Sequence, residues 1–285
     1  MNKIKFKNLT AEIDSRGAQL RSFKKDGKEI LWQGSPEFWT DTAPLLFPIC
    51  GGLVNDTYLL NGNKYTMPKH GFAKDLDFKA EYISENSIKF IATENDWTLN
   101  MYPYKFELCV IFTLLENALK IDYKVVNKNN DIMYYSIGSH EGYNCEDGFK
   151  YYDVIFNKNE TFEACQLDEI SLSHKKEKID AVNNTISLKN EYFEIDAIIL
   201  ENINSDVITL RNRNNGSNIS VEVGDFENLL IWTMPNAPYV CIEPWSGFPD
   251  YSDTNGDFTA KHSIQKIEPN GTSHKIHTIK VEGFI

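Results

Sequence analysis

The chain has 285 residues, a net charge of −12 at pH 7 and an isoelectric point near 5.0. Nucleic acids and other polyanions are bound mainly by clustered lysine and arginine, so this charge argues against them as partners. No apolar run reaches the ~18 residues of a membrane span, and none follows the basic N-terminus as a signal peptide requires. We therefore expect a soluble cytoplasmic protein with no membrane partner.

Cysteine usage offers no framework for a disulfide or a metal site. The count of five is odd, and no two cysteines have the CxxC spacing of zinc and redox motifs. We therefore expect reduced thiols, no metal and no cofactor.

Hairpin signals recur from end to end of the chain. Asp-Gly and Asn-Gly pairs, which two-residue hairpin turns favour, separate segments rich in β-branched and aromatic residues. These pairs stand at positions 26–27, 61–62, 215–216 and 270–271. Segments 87–93, 106–114 and 118–126 also have the length and pattern of strands, and Glu116 and Asn117 predict the turn between the last two.

Helix is expected to be scarce. No segment keeps apolar residues at i, i+3, i+4 and i+7 over twelve residues, and the best helical candidate, residues 168–180, is polar nearly all round. Many short strands at close spacing predict an all-β sandwich of antiparallel strands. Since no linker interrupts the pattern, we expect one domain over residues 1–285, as a monomer or a weak homodimer.

The clearest sign of chemistry is a carboxylate inside an apolar segment. Residues 239–242 predict a short buried strand that Pro244 ends, which places Glu243 at a strand end facing a cavity. A buried glutamate is unfavourable unless it is paired or used. We therefore treat Glu243 as a candidate for acid–base chemistry.

His140 is the candidate partner of this carboxylate. Residues 136–140 predict the end of a strand whose alternation directs His140 to one face. Gly138, Ser139 and Gly142 are small enough to leave room for a ligand beside the imidazole, and a histidine with a glutamate suggests a general acid with a general base. A core histidine bonded to a backbone carbonyl explains this stretch equally well.

Two other candidate residues also have two interpretations. His70 lies between Pro68 and Gly71, in irregular backbone that suits a functional residue or a surface turn histidine. Asp196 interrupts an apolar segment, which suits hydroxyl binding or an Asx turn at the entry to a strand.

Three further residues are expected to have no role in the chemistry. Glu141, next to His140, should point the other way, into solvent. His274 and His277 resemble a metal pair in spacing, but three residues apart on a strand they face opposite sides.

With these residues in place, the chain resembles the aldose 1-epimerase (mutarotase) family, in particular its LacX-like branch. Seven stretches in family order give the resemblance, which spans almost the entire chain. They are residues 30–34, 44–51, 70–74, 102–106, 136–140, 196–199 and 241–247.

The resemblance implies a galactose-mutarotase-like β-supersandwich with little helix that binds a free monosaccharide in a cleft and needs no metal. Residue by residue, Glu243 matches the family's general base and His140 its general acid. His70 and Asp196 match positions that bind the sugar near its ring oxygen and its hydroxyls. The acid and the base are then expected on opposite sides of the anomeric centre of the sugar.

The chain departs from the family pattern at two positions, and two functions other than aldose 1-epimerase also fit the sequence. Gly52 stands where many relatives have an arginine, which leaves Lys74 as a substitute cation, and Glu141 stands where relatives commonly have proline. A sugar-phosphate 1-epimerase on the same fold is the nearest alternative, although it should bring arginines to the phosphate. A non-catalytic carbohydrate-binding protein is the other alternative.

Overall fold

The computed structural model describes residues 1–194 and 196–284 of the chain. These residues form twenty-three β-strands and a single short α-helix, α1, over Asp96–Met101. The first twelve strands are β1 Asn2–Phe6, β2 Leu9–Ile13, β3 Leu20–Lys25, β4 Lys28–Glu29, β5 Thr57–Leu60, β6 Asn63–Thr66, β7 Lys79–Ser84, β8 Ser87–Thr93, β9 Phe106–Leu115, β10 Ala118–Asn127, β11 Met133–Tyr135 and β12 Gly142–Asn144. The other eleven are β13 Tyr152–Phe156, β14 Glu163–Asp168, β15 Ser171–Lys178, β16 Thr185–Ser187, β17 Ile198–Leu200, β18 Val207–Asn212, β19 Asn218–Glu222, β20 Asn228–Trp232, β21 Tyr239–Trp245, β22 Gln265–Ile267 and β23 Thr272–Glu282.

Two large antiparallel sheets dominate the fold. One has nine strands in the order β16-β13-β18-β19-β23-β10-β9-β8-β7, and the other has six in the order β12-β21-β20-β17-β14-β15. Strands β1 to β4 form a smaller sheet, and β5-β6 and β11-β22 form two-stranded pairs. The predicted all-β architecture with little helix is confirmed.

The two large sheets share an apolar core because their strands alternate inward and outward side chains. Ile121 and Ile279 of the nine-stranded sheet and Val240 and Ile242 of the six-stranded sheet are fully buried members of one cluster. Each buried side chain of this kind contributes roughly 1.5–3 kcal/mol of hydrophobic stabilisation. The opposite, outer face of the six-stranded sheet does not take part in this shared core.

Three of the four hairpin signals join paired strands as predicted. The pairs at 26–27, 61–62 and 215–216 connect β3 to β4, β5 to β6 and β18 to β19. Residues 116–117 likewise form the predicted turn between β9 and β10. In each case both strands lie within a few residues of the turn, so the local signal decides the pairing.

The prediction at positions 270–271 is wrong. The strand before this pair, β22, bonds to β11, whereas the strand after it, β23, bonds to β10 and β19. Asn270 has a positive φ and Gly271 closes a turn onto the Glu268 carbonyl, so the turn itself is present. Pairing with distant strands determines where the two strands go.

Strand β21 continues through Pro244, contrary to the prediction that this proline ends it. Ser139 N–H donates to the Pro244 carbonyl, and the Trp245 indole donates to the Ser139 carbonyl over 3.1 Å. The missing N–H of proline therefore leaves no neighbouring carbonyl without a donor. As a result Glu243 lies within a strand and not at its end.

In the part of the chain that the structure describes, no helix has the length and apolar character needed to cross a lipid bilayer.

Candidate active site

A cavity of about 330 Å³ opens on the outer face of the six-stranded sheet. This volume is within the range of pockets that hold small molecules. All four candidate residues, His70, His140, Asp196 and Glu243, line it. The remaining lining residues are Trp39, Asp41, Pro44, Gly51, Lys69, Lys74, Leu167, Ile170, Ala197, Ile199, Leu230, Trp232, Trp245 and Pro249.

Strand register brings His140 and Glu243 together. Gly142 pairs with Cys241 and Gly138 bridges to Trp245, so the same register sets His140 directly opposite Glu243. Opposite residues of an antiparallel pair point to the same face. His140 Nε2 accordingly lies 3.4 Å from Glu243 Oε2. The two side chains are neighbours on one side of the cavity, which corrects the expected arrangement on opposite sides of a sugar.

The Glu243 carboxyl is almost completely withdrawn from solvent, with 1% of the residue exposed. Burial, followed by the charge of Asp196, raises the pKa of Glu243 well above its usual value, although Lys69 opposes the shift. A carboxyl with a raised pKa is suited to exchange a proton near neutral pH.

Aromatic rings hold the imidazole of His140. The Trp39 ring stacks on it with a centroid distance of 4.8 Å, and the Trp232 ring contacts it edge to face at 5.6 Å. Burial lowers the pKa of His140 to about 4. Neither tryptophan was among the residues singled out from the sequence, because a tryptophan in a loop or at the end of an apolar strand shows no distinctive pattern.

His70 projects from a strained turn at the edge of the cavity. Its φ is 68°, a conformation that few residues other than glycine adopt and that is often found at functional sites. The Gly51 N–H donates to His70 Nδ1 over 3.1 Å, so the ring proton lies on Nε2, which is left to donate. Burial, with the neighbouring His140, holds the pKa of His70 well below its usual value. His70 is therefore a neutral hydrogen-bond donor and not a surface turn histidine.

Asp196 lies just before β17 and lines the same cavity. Burial raises the pKa of its carboxyl, while Lys69 lowers it. A carboxyl placed in this way can accept hydrogen bonds from hydroxyl groups of a ligand. Its position favours hydroxyl binding over the alternative Asx turn.

Two lysines bring positive charge to the cavity in place of an arginine. The structure places Lys74, the substitute that we predicted, in the lining together with Lys69, which we did not predict. An arginine at position 52 would meet Ile170, since a Cβ added to Gly52 lies 3.3 Å from Ile170 Cδ1. The sequence signal for Lys69 was its position next to His70.

The small residues beside His140 make room for tryptophans and not for a ligand. A Cβ on Gly138 would lie 2.7 Å from Trp245 Cδ1, and one on Gly142 would lie 3.1 Å from Trp39 Cζ3. Both tryptophans line the cavity. These glycines therefore shape the site indirectly, by letting aromatic walls approach the strand.

The expectations for the flanking acidic and histidine residues have mixed outcomes. Glu141 does point away from His140, but it is buried and only 3% exposed, so the prediction of a solvated carboxylate is wrong. His277 is buried and His274 is exposed, which confirms that they face opposite sides of β23.

Among the described residues, one group of potential metal donors falls within the site. Donor atoms of His140, Cys241 and Glu243 all lie within 4.8 Å of one another. Burial raises the pKa of both the Cys241 thiol and the Glu243 carboxyl, so both groups favour their protonated forms, which are poor ligands. We interpret His140 and Glu243 as proton-transfer groups.

Comparison with known proteins identifies the family. The family model described as aldose 1-epimerase matches residues 2–278. The chain belongs to the aldose 1-epimerase family. The plasmid and chromosomal LacX proteins of Lactococcus lactis subsp. lactis are relatives within it, each 35% identical over 295 residues, with 98% of this chain and 98% of the relative covered.

Solved structures of family relatives have the same fold. A galactose mutarotase related enzyme from Lactobacillus acidophilus is 30% identical, with a TM-score of 0.93 over 99% of this chain and 97% of that one. A galactose mutarotase-like protein from Lactobacillus casei ATCC 334 is 28% identical, with a TM-score of 0.94 over 99% and 100%. This aldose 1-epimerase family member therefore has the galactose-mutarotase-like fold that the resemblance implied.

Proposed function

We propose that this protein interconverts the α and β anomers of a free aldose by general acid and base catalysis. The observation that supports this most is the contact between His140 Nε2 and Glu243 Oε2, at 3.4 Å in a cavity able to hold a small molecule. The two groups can exchange protons with two oxygens on one carbon, as opening a cyclic hemiacetal requires. Membership of the aldose 1-epimerase family points to the same class of reaction.

In the proposed mechanism Glu243 and His140 act together on the anomeric carbon of the sugar. The single proton that the pair holds first passes from Glu243 to His140 across their 3.4 Å contact. Glu243 then removes the proton from the C1 hydroxyl while His140 protonates the ring oxygen, so the ring C–O bond breaks and an aldehyde forms. The C1–C2 bond rotates and the ring closes on the other face of the aldehyde with both proton transfers reversed. No net proton is gained or lost, and each positioned group supplies about 10²–10⁴-fold.

His70 and Asp196 are proposed to position the sugar. The free Nε2–H of His70 donates to the ring oxygen as negative charge develops there. Its lowered pKa keeps the ring neutral, so His70 acts as a hydrogen-bond donor. Asp196 accepts from hydroxyls away from the reacting centre, which holds the ring in place for proton transfer.

The test is to follow the optical rotation of freshly dissolved pure α-glucose and α-galactose with and without the protein, and to subtract the spontaneous rate. We expect faster decay to the same equilibrium rotation for at least one of the sugars. Sugar binding by saturation-transfer NMR without any acceleration would contradict the proposal and favour a carbohydrate-binding protein.

We predict a bell-shaped dependence of kcat/KM on pH, because the His140–Glu243 pair must hold a single proton. Below about pH 4 His140 is protonated as well as Glu243, and no base remains. Above the raised pKa of Glu243 the pair loses its last proton, and no acid remains. Measuring initial rates from pH 3.5 to 9 checks this. Activity that rises to a plateau at high pH would contradict the shared proton.

A sugar-phosphate 1-epimerase is the second candidate, and Lys69 and Lys74 favour it. Both bring positive charge to the cavity, where a phosphate on the sugar would meet them. Testing glucose 6-phosphate and galactose 6-phosphate as substrates in the same assay distinguishes this function from epimerisation of a free aldose. For this candidate, Lys74→Met should lower kcat/KM for the phosphorylated sugar about tenfold or more and lower it much less for the neutral sugar.

A further inference from the structure

A second acidic and histidine pair lies directly behind the candidate acid and base. Glu141 follows His140 in the chain and projects from the opposite face of the segment, into the space between the two large sheets. Its Oε1 atom lies 3.5 Å from Nε2 of His277 on β23. The two residues are 3% and 0% exposed. The pair thus links the segment that holds His140 to the nine-stranded sheet.

Aromatic rings surround this pair, and some of its polar atoms have no hydrogen-bond partner. Tyr123 of β10 stacks on the His277 ring with a centroid distance of 5.7 Å, and Phe226 contacts the ring edge to face. Among the residues that the structure describes, Glu141 Oε2 and His277 Nδ1 have no hydrogen-bond partner. Buried polar atoms without partners are rare, and each reduces stability.

Stability alone does not account for such a pair. Removing a carboxylate from water costs about as much as its contact with a buried histidine returns, so well-packed apolar residues would serve the core equally well or better. A role connected with the neighbouring His140 explains why the two residues are placed here.

We propose that Glu141, anchored by its contact with His277, positions His140 from behind its strand, and that the Glu141 carboxylate places negative charge behind the His140–Glu243 pair. The contact to His277 anchors the backbone on which His140 stands. The negative charge lies on the far side of that backbone, separated from the site by protein and not by water. This inference rests on the proposed function, and it makes Glu141 a positioning residue that does not contact the sugar.

The negative charge on Glu141 favours the protonated form of both His140 and Glu243. Burial alone would raise the pKa of Glu141, but the attraction to His277 and the hydrogen bonds to the carboxyl together outweigh burial and hold this pKa below its usual value. The resulting carboxylate opposes the lowering of the His140 pKa by burial and adds to the raising of the Glu243 pKa by burial.

Other charged and titratable groups face these residues and stay in place during the test. On the cavity side Asp41, Lys69, His70, Asp196 and Cys241 surround His140 and Glu243. On the core side Tyr123 and Tyr143 face Glu141 along with His277.

The test separates the charge of Glu141 from its anchoring contact. Glu141→Gln keeps the size of the side chain and removes the charge, so both limbs of the pH profile should move to lower pH by on the order of half to one unit. Glu141→Asp keeps the charge and shortens the contact. It should leave the limbs in place while kcat falls by roughly tenfold, because small displacements of catalytic groups are costly.

Two additions make the result decisive. The imidazole NMR signal of His140, assigned by its loss in His140→Gln, reports the pKa of His140 without turnover and so stands even if the anomer assay fails. Should Glu141→Gln not fold, the double variant Glu141→Gln with His277→Gln is measured instead, since its two neutral amides can bond to each other. The limbs of its pH profile should still move to lower pH, because the charge that acts on His140 and Glu243 is that of Glu141. The proposal is overturned if the variant has the same pH profile as the wild type and its His140 NMR signal titrates at the same pH.

Discussion

Replacing Glu243 by glutamine is expected to lower kcat/KM for anomer interconversion by about 10²–10⁴-fold. Glutamine has almost the shape of glutamate but cannot accept the proton of the C1 hydroxyl. Because the side chain is 1% exposed and its carboxyl favours the neutral form, a neutral amide should be tolerated and folding retained. Polarimetry on a pure α-anomer measures the loss, and thermal unfolding measures the stability.

Sugar binding separates a loss of chemistry from a loss of structure in this experiment. Saturation-transfer NMR should still detect sugar contacts in Glu243→Gln, since His70 and Asp196 remain. Glu163→Gln is the matched control because Glu163 is an exposed glutamate on β14 outside the cavity, and it should behave as the wild type. Near-normal turnover by Glu243→Gln would remove Glu243 from the mechanism.

The His140→Gln variant should lose a comparable factor, about 10²–10⁴-fold in kcat/KM. Glutamine keeps a hydrogen-bond donor beside Glu243 but cannot deliver a proton to the ring oxygen. Since the proposed mechanism has the two groups transfer protons together, Glu243→Gln and His140→Gln combined should lose little more than either alone. Losses that multiply would instead show that the two residues act in independent steps.

The pH profile of His140→Gln adds a second measurement. With the imidazole removed, the pair can no longer share a proton, and the bell shape should be replaced by a dependence on Glu243 alone. His274→Gln is the control because His274 is an exposed histidine on β23 and lies outside the cavity. If His140→Gln retains a wild-type profile, His140 is not the acid.

The general architecture could be predicted from the sequence because its signals are local. Turn pairs such as Asp26-Gly27 and Asn61-Gly62 fix short hairpins between neighbouring strands. The same signal fails at Asn270-Gly271, where β22 and β23 each pair with strands far away in the chain. Long-range pairing depends on the burial of whole sheets, which no single turn encodes.

The candidate site was partly predictable for a related reason. Glu243 and His140 stood out as polar residues in apolar or small-residue stretches, and the structure brings both into one cavity. Their side-by-side placement follows from the register between β12 and β21, which the sequence does not show. The burial of Glu141 depends on His277, a contact across 136 positions of the chain, and neither residue alone indicates it.

Some residues that line the cavity lie on or beside paired strands, and others lie in connecting segments. The two groups of residues can therefore be substituted independently. Glu243 and the residue opposite it are spaced by a ladder of backbone hydrogen bonds, whereas Trp39, Lys69 and Ile170 come from connecting segments. Substitutions or insertions in those segments would alter the walls that a ligand meets and leave the distance between His140 and Glu243 unchanged. A scaffold of this kind can diversify in the ligands it accepts while the central pair is kept.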